Sequence, residues 1–237
     1  KLPQSTIRDS WQVVYSPDYA MALWYGYDKN TKEHYMTEYE GWNSRLVISA
    51  ALTPRVMKKN SRWSKPSGVT IVDVEKGTNL LASEFTPDNM RTTEYYRKGT
   101  EPTEVSTRYT RLKNVSNLTY TTVGNQIQLS WNQIGTPNAI DENYLRNFFD
   151  ENYKRWADKY YEQRLQYNAT NIGTVVYEIY LKGSDGSLSY VGSTPNTTFN
   201  TSLSNGTSAT FVVKSAYTIF KNNASTGSEI TVKISPS

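Results

Sequence analysis

Cysteine is absent and histidine occurs once, at His34, which excludes disulfides, thiolate zinc sites and a cysteine nucleophile together. One imidazole cannot build a His-rich metal site, and a Ser-His-Asp hydrolase would need His34 as its base. His34 closes the polar stretch Lys29-Asn30-Thr31-Lys32-Glu33-His34 and reads as a solvated loop residue. Ser61-Arg62-Trp63-Ser64-Lys65 holds a serine and a lysine, but one position further apart than the Ser-x-x-Lys spacing that sets an amine beside a hydroxyl on one helical turn, and in a loop-like context. Lys98-Gly99-Thr100 only permutes the letters of a Lys-Thr-Gly strand motif. No Gly-rich phosphate loop, dinucleotide fingerprint or paired metal carboxylates are visible. Accordingly no residue is assigned a catalytic, cofactor-binding or metal-ligating role, and no cofactor is expected.

Composition narrows the classes further. The 237 residues include 19 Tyr and 6 Trp, with 37% hydrophobic and 20% charged residues, and the mean hydropathy is -0.66. That is polar for a folded chain but too aromatic for a disordered one. No run of 18 apolar residues occurs, and Lys1-Leu2-Pro3-Gln4 opens no apolar export segment. A net charge of +4, from 26 basic and 22 acidic residues, does not call for nucleic acid as a partner. Arg45, Arg55, Lys58, Lys59, Arg62 and Lys65 follow one another without an intervening acid. They read as a solvated helix face and loop, with an anionic surface as the sharper alternative. Seven Asn-x-Ser/Thr triplets begin at Asn114, Asn117, Asn168, Asn196, Asn200, Asn205 and Asn223; in a chain so rich in Asn, Ser and Thr they are read as composition.

The elements follow from periodicity. Trp11 to Tyr15 and Tyr19 to Tyr27 are aromatic, β-rich runs around Ser16-Pro17-Asp18, which predicts an antiparallel hairpin. Its second run is apolar on both faces, as a covered strand should be, yet the chain supplies few neighbouring strands. Asn43 and Ser44 are offered as N-caps of a helix running to Met57 with Leu46, Ile48, Leu52 and Val56 on a buried face, kinked or divided at Pro54. Val69 to Val74 and Leu80 to Ala82 predict a second hairpin around Glu75-Lys76-Gly77-Thr78.

From about Asn114 the texture turns to Asn, Ser, Thr and Tyr. Ile127, Leu129 and Trp131, then Tyr177, Ile179 and Leu181, then Phe211, Val213, Ser215 and Tyr217, then Ile230, Val232 and Ile234 alternate as inward faces of a β-sandwich. Between the first two sets, an apolar stripe through Tyr144, Leu145, Phe148, Phe149, Tyr153, Trp156, Tyr160 and Leu165 predicts one long amphipathic helix at about 140–167, capped by Asp141. Leu145, Phe149, Tyr153, Trp156 and Tyr160 are expected to be buried, in preference to forming an exposed glycan platform.

The hairpin also carries a resemblance. Asp9-Ser10-Trp11-Gln12-Val13-Val14-Tyr15-Ser16-Pro17-Asp18, continuing through Trp24-Tyr25-Gly26-Tyr27-Asp28, resembles the segment that follows the Lys-Thr-Gly strand in class A penicillin-binding proteins, departing from it at Gln12 and Val14. Pro66-Ser67-Gly68-Val69 and Glu94-Tyr95-Tyr96-Arg97-Lys98-Gly99-Thr100-Glu101-Pro102-Thr103 resemble that family's closing segments, in the same order. The second half, with Trp131, Tyr177 and Tyr217 on its strands, resembles a fibronectin type III module, from which the helical insertion departs.

The resemblance implies an α+β first part, residues 1–112, as the C-terminal portion of a transpeptidase domain, and an all-β, fibronectin type III-like sandwich with the inserted helix at 113–237. It implies a parent bifunctional glycosyltransferase and serine DD-transpeptidase, anchored at the extracellular face of a bacterial membrane through its N-terminal part. This chain is then expected to be a cleaved or separate fragment. Its partner is the missing part carrying Ser-x-x-Lys, Ser-x-Asn and Lys-Thr-Gly, through which stem peptides and β-lactams are met; nucleic acid is not a partner. The alternative is a non-enzymatic wall-binding or spacer protein that works through the sandwich.

Overall fold

Ser16 makes the first turn. Its backbone N–H donates to the Tyr19 carbonyl at 2.8 Å, and its hydroxyl oxygen accepts from the N–H groups of Asp18 at 3.3 Å and Tyr19 at 3.2 Å, so the chain reverses between the strands Asp9–Tyr15 and Ala20–Gly26 as expected. The computed structural model describes residues 1–235 and divides into two compact units, Lys1–Val69 and Thr70–Ser237. Among the described residues no helix is long and apolar enough to cross a membrane.

In the first unit β1 (Thr6–Ile7) pairs with β4 (Met36–Thr37), and β2 (Asp9–Tyr15) pairs antiparallel with β3 (Ala20–Gly26) in the register Trp11↔Trp24. Helix α1 (Glu38–Val56) packs on the hairpin. It begins earlier than Asn43 or Ser44. Thr37 and Glu40 form a reciprocal capping box, the Glu40 N–H donating to the Thr37 hydroxyl at 3.3 Å and the Thr37 N–H to the Glu40 carboxylate at 2.9 Å.

Pro54 neither divides nor ends α1. It lies in the last turn, and the Ala50 carbonyl that loses its helical donor belongs to an exposed residue, so water can replace it. The expected apolar face is not the buried one either. Leu46 and Val56 are exposed, and the buried positions are Gly41 and Ser49. A Cβ at Gly41 would stand 2.9 Å from Ile7 Cδ1 and 3.1 Å from Ser10 Cβ. Small residues therefore set the approach of helix to hairpin, and the Ser10 hydroxyl closes it by donating to the Gly41 carbonyl at 2.8 Å.

In the second unit β5 (Val69–Glu75) pairs with β6 (Arg91–Arg97). The predicted partner Leu80 to Ala82 contributes only a local bridge, Val74↔Leu81, and Leu81 bridges onward to Val105. The sandwich follows, with β7 (Ser116–Val123), β8 (Gln126–Asn132), β9 (Val175–Lys182), β10 (Leu188–Thr194), β11 (Thr198–Ser202), β12 (Ser208–Tyr217) and β13 (Ser228–Lys233). Its sheets have the strand orders β11-β8-β7 and β10-β9-β12-β13, an antiparallel three-on-four sandwich. Ile127, Leu129, Trp131, Tyr177, Ile179, Phe211, Val213 and Val232 form one core between the sheets. Met90, Tyr109 and Leu112 join that same core. Trp131 and Tyr177 meet edge to face at 5.3 Å between ring centroids.

The predicted single long helix is two. Helix α2 (Glu142–Tyr153), capped by Asp141 as expected, and α3 (Ala157–Asn171) are separated by a 3₁₀ turn over Lys154–Trp156. Lys154 turns the chain with φ 46° and ψ -115°, a backbone region that favours glycine. The helices fold against each other over Leu145, Phe149 and Ala157. Folding back splits the stripe, so that Leu145 and Phe149 are buried while Trp156, 50% exposed, and Tyr160 face solvent.

Candidate interaction face

Pleating in the hairpin separates two faces. Ser10, Gln12 and Val14 lie on the side that bears α1, while Trp11, Val13 and Tyr15 lie on the other and remain exposed, Trp11 at 58% and Tyr15 at 69%. Register places Trp11 opposite Trp24, Val13 opposite Ala22 and Tyr15 opposite Ala20, so the exposed face is apolar from Trp11 to Tyr15. The rings of Trp11 and Trp24 stand 6.5 Å apart, and the Trp24 indole N–H donates to Asp9 at 2.8 Å, fixing its plane. Tyr15 packs edge-on against Trp63 at 6.1 Å. Among the described residues β2 and β3 pair only with each other, leaving both outer edges of this hairpin unpaired. Exposed apolar faces and open strand edges of this kind are surfaces on which other protein surfaces can pack and pair.

The sequence-level candidates for chemistry are not assembled. His34 is exposed, its ring 5.8 Å from that of Tyr27. Ser61 donates its hydroxyl to Asp18, which also receives Lys58 Nζ at 3.7 Å, while Lys65 is exposed. Lys98-Gly99-Thr100 forms the turn after β6, the Thr100 N–H donating to the Arg97 carbonyl at 2.9 Å, with Gly99 at φ 88°. In the basic stretch Arg45 donates to the Trp11 carbonyl at 3.0 Å and Arg55 to the Ala51 carbonyl at 3.2 Å.

One constellation in the second unit escaped the sequence reading. Glu75 at the end of β5 lies 2.6 Å from Arg108 Nη1, with the two side chains 0% and 1% exposed. The pair is close in distance but poorly directed, since neither carboxylate oxygen reaches hydrogen-bond geometry. The Arg108 guanidinium lies 4.3 Å over the Phe148 ring of α2. Arg164 of α3 donates to the Tyr109 hydroxyl at 3.2 Å and faces the rings of Phe149 and Tyr167.

Burial pushes the Glu75 carboxyl above its ordinary range, with Arg108 opposing, and pushes the Arg164 guanidinium down. It raises the Tyr109 phenol to about 12. Tyr153 donates to the Gly77 carbonyl at 3.0 Å and Tyr167 to Asn89 at 2.6 Å. The helical insertion is thus tied to the chain between Glu75 and Tyr109. The signal for this cluster was a charge in the wrong phase: Arg164 recurs with Ala157, Tyr161 and Asn168 on the inward side of α3.

Residues 65–111 match the family described as penicillin-binding protein 1A, C-terminal domain. A curated relative, penicillin-binding protein 1A/1B of Bacillus subtilis (strain 168), is 34% identical over 137 residues, which is 54% of this chain and 15% of the relative. The chain therefore spans a small part of that protein's length. Among solved structures, the fibronectin type III domain of human fibronectin type III domain containing protein 3 is 11% identical over 53% of this chain and 88% of its own, with a TM-score of 0.34. The rat CD45 extracellular region, domains d3-d4, is 13% identical over 96% of both chains, with a TM-score of 0.32. Strand order and a single shared core define the sandwich in this chain.

Proposed function

We propose that this chain, which carries a class A penicillin-binding protein C-terminal region, completes the transpeptidase sheet of a larger peptidoglycan synthase without supplying its nucleophile. Residues 1–112 are the end of the transpeptidase portion and 113–237 the appended module. The parent is a membrane-anchored glycosyltransferase and DD-transpeptidase working at the outer face of the membrane. Its acylating Ser-x-x-Lys, its Ser-x-Asn and its Lys-Thr-Gly strand lie in the partner portion, where stem peptides and β-lactams bind. The observation that carries this reading is the exposed apolar face of Trp11, Val13, Tyr15 and Trp24 beside unpaired strand edges. A sheet neighbour and a covering layer would satisfy both at once.

The test is co-expression of the chain with a separate polypeptide bearing Ser-x-x-Lys, followed by a labelled β-lactam and mass spectrometry of each chain. Co-purification is expected, with label on the partner alone. Val13→Glu, which places a charge on the covered face, should abolish the complex. A stable adduct on a serine of this chain would overturn the proposal.

A second reading, a wall-binding module, is favoured by Trp156, which is exposed and flanked by Arg155 and Lys159 over its ring. If Trp156→Ala leaves stability unchanged while binding to purified wall falls, the module binds wall directly. If both stay unchanged, it is a spacer.

A further inference from the structure

The chain between Arg108 and Lys113 alternates between two destinations. Tyr109 and Leu112 are buried in the sandwich core, while Thr110, Arg111 and Lys113 turn outward. Asn223 holds this strap in place. Its carbonyl accepts from the Leu112 N–H at 2.8 Å, and its side-chain amide donates to the Thr110 carbonyl at 3.1 Å. The facing wall, residues 134–138, is pinned as well, because the Ile134 N–H donates to the buried Tyr177 hydroxyl at 3.2 Å. Between strap and wall lies a groove of about 310 Å³.

The groove's chemistry is one-sided. Arg111 and Lys113 bring two positive charges, Thr107, Thr110 and Thr136 bring hydroxyls, and no Asp or Glu is in the lining. Arg111 is further restrained by the Phe85 ring, 5.1 Å from its guanidinium carbon. A guanidinium resting on a ring keeps its in-plane N–H edge free for an oxyanion. Rigid walls reduce the ordering cost of binding, and a cavity near 300 Å³ suits one compact ligand group.

We propose that this groove binds a phosphate group. A phosphate offers several acceptor oxygens and a charge near -2, or -1 as a diester, which two cations and several hydroxyl donors match better than they match a single carboxylate. The phosphate could be free or part of a polyol-phosphate chain. The two sources share this chemistry and separate in the test.

The experiment is a 31P NMR titration of the full 237-residue chain with inorganic phosphate, glycerol 3-phosphate and a poly(glycerol phosphate) oligomer. Acetate at equal ionic strength serves as a competitor. Saturable binding is expected, weakening as salt rises and poorly displaced by acetate. The double variant Arg111→Gln/Lys113→Gln should weaken it at least tenfold and Thr136→Val several-fold. Both sites are exposed, so the fold should persist, as circular dichroism would verify. Lys233→Gln removes an exposed charge elsewhere and should change nothing. Binding tenfold tighter for the oligomer than for either small phosphate would assign the groove to a polymer, and equal binding to a free phosphate. Absence of saturation, or equal affinity in the double variant and Lys233→Gln, would overturn the proposal.

Discussion

Arg146 Nη2 lies 2.7 Å from Asp158 Oδ1, across the break between α2 and α3. In one continuous helix at 1.5 Å per residue these positions would be about 18 Å apart along the axis. The contact exists because the chain reverses at Lys154, and Arg146 bonds Asp150 of its own helix at the same time. Burial of Leu145, Phe149 and Ala157 is what the reversal gains.

Lys154 occupies a backbone conformation that favours glycine. Lys154→Gly is expected to stabilise the second unit by up to about 1 kcal/mol in chemical unfolding, whereas Leu145→Ala should cost about 2–5 kcal/mol. Equal stability of Lys154→Gly and Lys154→Val would contradict the reversal, since a β-branched residue is poorly suited to that corner.

The Glu75–Arg108 pair should behave as buried charges do. Glu75→Leu leaves Arg108 unpaired and is expected to cost about 3–5 kcal/mol, while Glu75→Leu/Arg108→Met should recover most of that loss. A double-mutant cycle measures the recovery.

The same carboxyl gives a pH signature. Its native pKa is raised above the ordinary 4.5, so the native state holds the proton more tightly than the unfolded state. Glu75 therefore makes stability fall as pH rises through the unfolded value towards the raised native one. Urea midpoints of the parent and of Glu75→Gln across that window should diverge in this sense, the parent losing stability relative to the variant as pH rises, whatever opposite slope the carboxyls held low, such as Glu178, add to both.

In the first unit, Gly41→Val should destabilise by about 1–3 kcal/mol, because its Cβ meets Ile7, Met36 and Ser10 at 2.9 to 3.1 Å. Gly41→Ala should be milder, since about 1 kcal/mol of helix propensity offsets the crowding. Hydrogen exchange of the β2 amides in the full chain reads the effect. Unchanged protection in Gly41→Val would mean that α1 is not held at this position.

Trp131→Ala should cost about 3–5 kcal/mol, given its burial and its contact with Tyr177. Val123, which is exposed at the end of β7, should lose less than about 0.5 kcal/mol when truncated. Similar values at the two sites would require a shifted strand register.

What the sequence determined is what local periodicity and turn chemistry encode. Ser16-Pro17-Asp18 set the first hairpin, and the inward alternation of Ile127, Leu129 and Trp131 with that of Phe211, Val213 and Tyr217 set the two sheets. Asp141 marked where the insertion starts. A period-2 or period-3.6 pattern is a property of neighbouring residues, so it survives without tertiary information. Strands β7, β10 and β11 carry no such signal in the sequence, because their Ser, Thr and Asn residues pattern weakly. The reversal at Lys154, the burial of Gly41 in place of Leu46, and the meeting of Glu75, Arg108 and Arg164 were decided by the tertiary structure. A single left-handed corner carries no periodic signal. Close approach depends on the partner surface, and a buried ion pair joins residues whose separation in sequence says nothing about their distance in space.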